Sequence, residues 1–221
     1  SEDCNPHQIP SSRELLQDVH PQEIWIAGEG YKTLVQSHVP NAKVRVGPSL
    51  RFGSLRKISP QDEAANSLLV GLTVEHNECE GMLSMLRRAA PLLPGHLRIV
   101  IKPHPLLPRE HLAERISTDC DEWEWTESKL EEKIAEAKCY FTSASSSAIE
   151  ALAAGVPVIL LGNCRGLSWN IIPKTISRAV WAQCFTSSEL ASAVRRLSEC
   201  PLHLKQKVAA QIQQVYFPKQ T

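Results

Sequence analysis

The sequence predicts an α/β fold in which a parallel sheet carries helices on both faces. Three observations predict it. From Ser67 onward, apolar strand-like runs alternate four or five times with segments of helical periodicity. The runs Leu97–Ile101 and Val156–Leu161 are apolar without interruption, as strands buried on both faces are. Polar loops follow several of these runs, and right-handed crossovers bring every strand's C-terminal end to one edge. Ligands of such folds bind at that edge, where the strand order reverses.

In chain order, residues 1–21 form a polar arm with Pro6, Pro10 and Pro21 and a short helix over Ser12–Val19. Glu23–Ala27 reads as a buried strand ending at Gly28, residues 30–38 as a short helix stopped before Pro40, and Lys43–Val46 as a second strand ending at Gly47-Pro48. Together they make one small βαβ unit. Residues 49–66 are polar, first basic (Arg51, Arg56, Lys57) and then acidic (Asp62, Glu63), and read as connecting chain. The chain therefore divides into an arm (1–21), the βαβ unit with its trailing segment (22–58), a linker (59–66) and a main domain (67–221).

In the main domain Ser67–Leu72 is an apolar strand, and Glu75–Ala90 places Met82, Leu83, Met85, Leu86 and Ala89 at helical spacing. Leu97–Ile101 is the next strand and Arg109–Ile116 a helix. Trp123–Trp125 is a short strand, Ser128–Ala137 a helix, and Cys139–Thr142 a strand. The helix Ala148–Ala154 ends at Gly155, which supplies the left-handed C′ residue, and Pro157–Leu161 is again a strand. Ala179–Phe185 is the last strand, Ser187 caps a helix over Glu189–Leu197, and Leu202–Val215 is a final amphipathic helix.

Composition narrows the function classes. The 221 residues are 43% hydrophobic and 22% charged, a globular balance. Lys+Arg and Asp+Glu number 24 each and the pI is about 7.1, which argues against a general nucleic-acid binder. No run of 18 apolar residues exists to span a membrane, and the polar, acidic start Ser1-Glu2-Asp3 is unlike a signal peptide. A start without Met fits a processed or excised chain. The seven cysteines are odd in number and form no Cys-x-x-Cys pair, so reduced thiols fit better than zinc or a disulfide framework. Dinucleotide-binding, Walker and nucleophile-elbow motifs are all absent from the sequence.

Two polar loops at strand ends carry the candidate chemistry. In Lys102-Pro103-His104-Pro105 the prolines stiffen the backbone around an imidazole that can donate to a phosphate, with Lys102 adding charge. The plainer alternative is a proline-rich turn with a surface histidine. Ser143-Ala144-Ser145-Ser146-Ser147 follows a strand and opens a helix, where unsatisfied N–H groups and the helix dipole favour an anion. A simple N-cap is the alternative, although one serine would suffice for it. Glu150, one turn into that helix, can accept from ribose hydroxyls or else face solvent. Thr73, with Glu75 and His76 behind it, lines the same edge or caps the following helix. The loop from Gly162 to Arg178 holds Arg165, Trp169, Asn170 and Lys174, which suit a base or sugar, or an ordinary surface.

The segments IKPHP (Ile101–Pro105) and TSASSSAIEALAAGVPVILLG (Thr142–Gly162) together resemble the C-terminal, donor-binding half of GT-B glycosyltransferases. The nearest likeness is to bacterial enzymes of surface polysaccharide: capsule Kdo-transferases, polysialyltransferases and teichoic-acid glycerophosphotransferases. The first two use a His-Pro and a Ser-Ser motif to hold the phosphate of a CMP-sugar. By that resemblance His104 and Pro105 stand at the first motif, and the second falls within Ser145, Ser146 and Ser147. EALAAGVPVI also resembles the segment of retaining GT-B enzymes whose glutamate binds ribose, which carries Glu150 over. The earlier glutamate of their pair falls at Thr142, a departure that disfavours UDP- or GDP-hexose donors. Glu23–Phe52 resembles the stretch before the donor domain, and the likeness covers roughly residues 22–200.

The resemblance implies a Rossmann-like donor domain with a remnant of the preceding domain at 22–58. It implies transfer of a sugar from a nucleotide-sugar, CMP-linked, to a glycan or lipid-linked acceptor in capsule or O-antigen synthesis. The work would be done in the cytoplasm, at the inner face of the membrane, with peripheral association through regions outside this chain. His104 is the expected catalytic residue. Lys102, His104, Pro105, Ser145, Ser146, Ser147, Glu150 and Thr73 are the expected nucleotide-binding set, with no metal and no cofactor beyond the nucleotide-sugar. No general base is evident in the sequence. The rival readings are a CDP-alcohol phosphotransferase or sugar-nucleotide epimerase on the same scaffold, and a non-catalytic binding domain.

Overall fold

The structure is a computed structural model and describes residues 10, 12–47, 65–114, 122–163 and 170–216. Helix α1 (Ser12–Leu16) precedes a first unit of β1 (Glu23–Ala27), a 3-10 turn (Glu29–Tyr31), α2 (Lys32–His38) and β2 (Lys43–Gly47). Its two strands pair in parallel, so the expected βαβ unit forms. The expectation of a buried β1 fails. Glu23 is exposed, Ile24 and Ile26 are only half-buried, and Trp25 is 64% exposed. Val35 and Val39 of the α2 segment are buried, and among the described residues little else covers this pair of strands.

The second unit contains β3 (Ser67–Gly71), α3 (His76–Ala89), β4 (Arg98–Lys102), α4 (Arg109–Ala113), β5 (Glu124–Trp125) and α5 (Leu130–Glu136). It continues with β6 (Ala137–Thr142), α6 (Ser147–Ala153), β7 (Val158–Leu161), β8 (Trp181–Cys184), α7 (Ser187–Ser198) and α8 (Leu202–Tyr216). The six strands β3–β8 form one sheet in the order β5-β4-β3-β6-β7-β8, with every neighbouring pair parallel. Strands are thus added on one side of β3 and then, after a reversal, on the other. This is the doubly wound order, with its crevice between β3 and β6.

The alternation of side chains along each strand builds two cores. Leu68 and Val70 of β3 and Phe141 of β6 pack with Leu83 and Leu86 of α3 and Val194 of α7. Leu69 and Tyr140 point the other way, toward Ile134 of α5, Leu152 of α6 and Ile212 of α8. Both faces are therefore covered, as the uninterrupted apolar runs require. α8 packs on α6 and also meets the 3-10 turn of the first unit.

Helix ends follow local chemistry. α6 closes in a Schellman motif: Gly155 has φ +78°, its N–H donates to Leu152 O (3.0 Å), and Val156 N–H donates to Ala151 O (2.8 Å). The cap of α7 is Thr186 rather than the expected Ser187. Thr186 Oγ1 accepts from Glu189 N–H (3.2 Å), and the Glu189 carboxylate accepts in return from Thr186 N–H (3.1 Å). Residues 1–9 and 11 of the arm, 48–58 of the segment trailing the βαβ unit, 59–64 of the expected linker, and Arg165 and Trp169 lie outside the described residues.

Candidate functional site

Four loops meet at the C-terminal edge of the sheet, over the β3/β6 crevice. They enclose a cavity of about 630 Å³ lined by Gly71 and Leu72 after β3, Lys102–Pro105 after β4, Glu127–Glu131 between β5 and α5, and Tyr140, Ser145, Ser147 and Glu150 from β6 and α6. Of the expected nucleotide-binding residues, Lys102, His104, Pro105, Ser145, Ser147 and Glu150 converge here. Ser146 and Thr73 are not among the lining residues.

The His104 loop is braced twice. Leu107 is buried, its N–H donates to His104 O (2.8 Å), and a bridge between His104 and Leu107 closes the turn. Leu106 N–H then donates to His104 Nδ1 (3.1 Å). An Nδ1 that accepts carries no hydrogen, so the neutral ring bears its proton on Nε2 and is a donor there. Lys102, at the end of β4, has a side chain only 12% exposed. Its Nζ donates to Glu127 O (3.5 Å) and stands 3.9 Å from the Glu127 carboxylate, which is itself open to solvent.

The serine loop differs from its expected form. The N–H groups of the first turn of α6 are already engaged. Ser147 N–H donates to Ser145 Oγ (3.4 Å), Ala148 N–H to Ser145 O (3.0 Å) and Ile149 N–H to Ser146 O (3.0 Å). The donors left for an anion are hydroxyls. Ser145 Oγ and Ser147 Oγ lie 2.8 Å apart, and Ser147 Oγ lies 2.8 Å from the Tyr140 hydroxyl. Ser146 is the N-cap residue but makes no side-chain cap bond, and it is exposed. Glu150 is 5% exposed, which removes the solvent-facing alternative.

Thr73 serves the turn before α3. Its hydroxyl accepts from Glu75 N–H (3.3 Å), and Cys79 Sγ donates to its carbonyl (3.2 Å). Asn170 and Arg178 are also engaged locally: Asn170 Oδ1 accepts from Ile172 N–H (3.0 Å), and the Arg178 guanidinium stacks on Trp181 at 3.5 Å from the ring centre.

Sequence reasoning missed Tyr140, Gly71 and the Glu127–Glu131 loop. A Cβ on Gly71 would clash with the Tyr140 hydroxyl, so the glycine at the end of β3 makes room for the phenol of β6. Burial pushes the Tyr140 phenol up to about 12 and keeps it a neutral donor. Among the described residues no group of three or more His, Cys, Asp or Glu could hold a metal ion, and no helix is long and apolar enough to cross a membrane.

No protein-family model matches the chain, and no curated protein matches it. Solved structures do. The GtfA/B complex superposes with a TM-score of 0.58 at 14% identity, over 98% of this chain and 49% of that one. HepE of Anabaena, in complex with UDP and glucose, gives 0.56 at 14% identity over 91% and 61%. The calicheamicin glycosyltransferase CalG4 gives 0.51 at 18% identity over 72% and 41%. The fold is thus α/β with a Rossmann-like sheet of the GT-B glycosyltransferase type, and the chain spans about half the length of the solved chains it matches.

Proposed function

We propose that this chain is the donor-nucleotide half of a glycosyltransferase, and that its edge cavity holds the phosphate of a nucleotide-sugar. One observation carries the reading: an imidazole whose Nδ1 is already taken, a lysine and two serine hydroxyls face one cavity at the strand-order reversal of a parallel sheet. Negative charge grows on the departing phosphate as the glycosidic bond breaks. His104 Nε2–H, Lys102 and the Ser145 hydroxyl, which Ser147 backs from behind, meet that charge, and donors already in place favour the transition state. Glu150 accepts from the ribose hydroxyls. The catalytic base and the acceptor, a glycan or a lipid-linked glycan, belong to chain beyond this one, and residues 22–58 close the preceding domain. The setting is bacterial surface-polysaccharide synthesis at the inner face of the membrane.

The finer donor assignment is a CMP-sugar, supported by the meeting of the His-Pro and serine segments in one cavity. HepE, solved with UDP-glucose, favours a second reading with a UDP-sugar. Calorimetric titration with CMP, CDP and UDP decides between them. The folded chain should bind one of the three. His104→Ala should weaken that binding by roughly ten- to a hundredfold, the loss expected for a hydrogen bond to a charged group. Absence of binding to all three by a folded chain would favour a non-catalytic interaction domain.

A further inference from the structure

We infer that Tyr140 is a positioning residue of this cavity: its hydroxyl directs a hydrogen-bond chain through Ser147 that leaves the Ser145 hydrogen free for an anionic ligand. The inference rests on the nucleotide-phosphate reading above. Tyr140 is 1% exposed and sits in the middle of the sheet on β6. Its hydroxyl reaches the cavity floor only because Gly71 lacks a Cβ. The 2.8 Å steps from Tyr140 to Ser147 and from Ser147 to Ser145 run from this buried phenol to a half-exposed serine on the cavity wall.

Each hydroxyl has one hydrogen, so the chain points in one sense at a time. When Tyr140 donates to Ser147 and Ser147 donates to Ser145, the hydrogen of Ser145 faces the cavity. In the reverse sense Ser145 donates inward and shows the cavity a lone pair, which an anion rejects. The phenol decides the matter by filling a lone pair of Ser147. Without it, that buried oxygen competes with the ligand for the hydrogen of Ser145. Thr142, two residues along the same strand, does not replace the phenol, because its own hydroxyl donates to Gly71 O (2.9 Å).

The test is ligand-observed NMR titration, which reads millimolar affinities, with CMP, CDP and UDP and with the nucleosides cytidine and uridine. It is run on the wild-type chain, Tyr140→Phe, Ser145→Ala and the double variant. Tyr140→Phe should weaken nucleotide binding by roughly two- to tenfold, the span of one neutral hydrogen bond, and leave nucleoside binding unchanged. In the Ser145→Ala background the same change should have no further effect. An equal loss for nucleoside and nucleotide, or an undiminished effect in the Ser145→Ala background, would make Tyr140 merely structural and overturn the inference. So would unchanged nucleotide binding in Tyr140→Phe. Should Tyr140→Phe fail to fold, Ser147→Ala breaks the chain in the middle and should show the same phosphate-specific loss, which vanishes once Ser145 is gone. If the wild-type chain binds no nucleotide, the parent reading falls and this inference with it.

Discussion

Cys139 and Tyr140 on β6 and Cys184 on β8 are titratable groups set into the sheet, and burial is the first cause of what happens to each. It pushes the Cys139 thiol up to about 11 and the Tyr140 phenol and the Cys184 thiol to about 12, so all three stay neutral in the folded chain. On unfolding they return to their ordinary values of 9 and 10 and lose protons sooner as the pH rises. The stability tied to them is fully present below about pH 9 and is lost as the pH rises through about 11 to 12. Urea midpoints should therefore fall steeply above pH 9. At pH 8, maleimide mapping by mass spectrometry should leave Cys139 and Cys184 unmodified until the chain unfolds. Labelling of either in the native state would contradict the burial. The same burial explains what could be read of the site. Lys102, His104, Ser145, Ser147 and Glu150 were legible because polar residues at the ends of apolar runs stand out. Tyr140 was hidden inside such a run, where its ring passes for core and its hydroxyl gives no sequence signal. Thr73 was open to two readings because a hydroxyl after a strand suits a turn as well as a ligand, and its hydroxyl accepts from the Glu75 N–H.

Among the described residues the helices were legible in place, with ends displaced by up to three residues: α1, expected to run to Val19, stops at Leu16, and Ala137, expected to end a helix, opens β6. At α7 the adjacent hydroxyls of Thr186 and Ser187 both suit an N-cap. The glutamate three residues after Thr186 settles the choice, because only that spacing closes the reciprocal pair. Thr186→Ala should destabilise the protein by about 1 kcal/mol in urea unfolding, and Ser187→Ala by far less. Equal losses would mean that the reciprocal pair does not govern this end. At α6 sequence reasoning placed free N–H groups, but its first turn winds tightly around Ser145 and Ser146 and consumes them. Spacing shows where a helix begins but not how tightly its first turn closes, and that closure is what shifts the donors from backbone to hydroxyl.

The six-stranded sheet and the β1–β2 pair differ in how much surrounds them, and that difference predicts where the chain opens first. β3, β6 and β7 are central strands, buried on both faces and paired on both edges. Among the described residues β1 and β2 pair only with each other. On one face Trp25 lies open beneath Arg45, with Glu23 accepting from both the indole (2.8 Å) and the guanidinium (3.0 Å). Exposed ion pairs of this sort add little stability, and an isolated two-stranded sheet is marginal in water. The run Glu-Ile-Trp-Ile-Ala reads as a buried strand because its composition asks for cover on both faces, whereas among the described residues Trp25 stays exposed. Hydrogen exchange should divide accordingly. The amides of β1 and β2 should exchange through local opening, at rates well above those of β3, β6 and β7, which should open only near the global unfolding limit. If β1 and β2 proved as protected as β6, the first unit would have to be one cooperative body with the sheet, joined through α8, rather than a weakly held appendage.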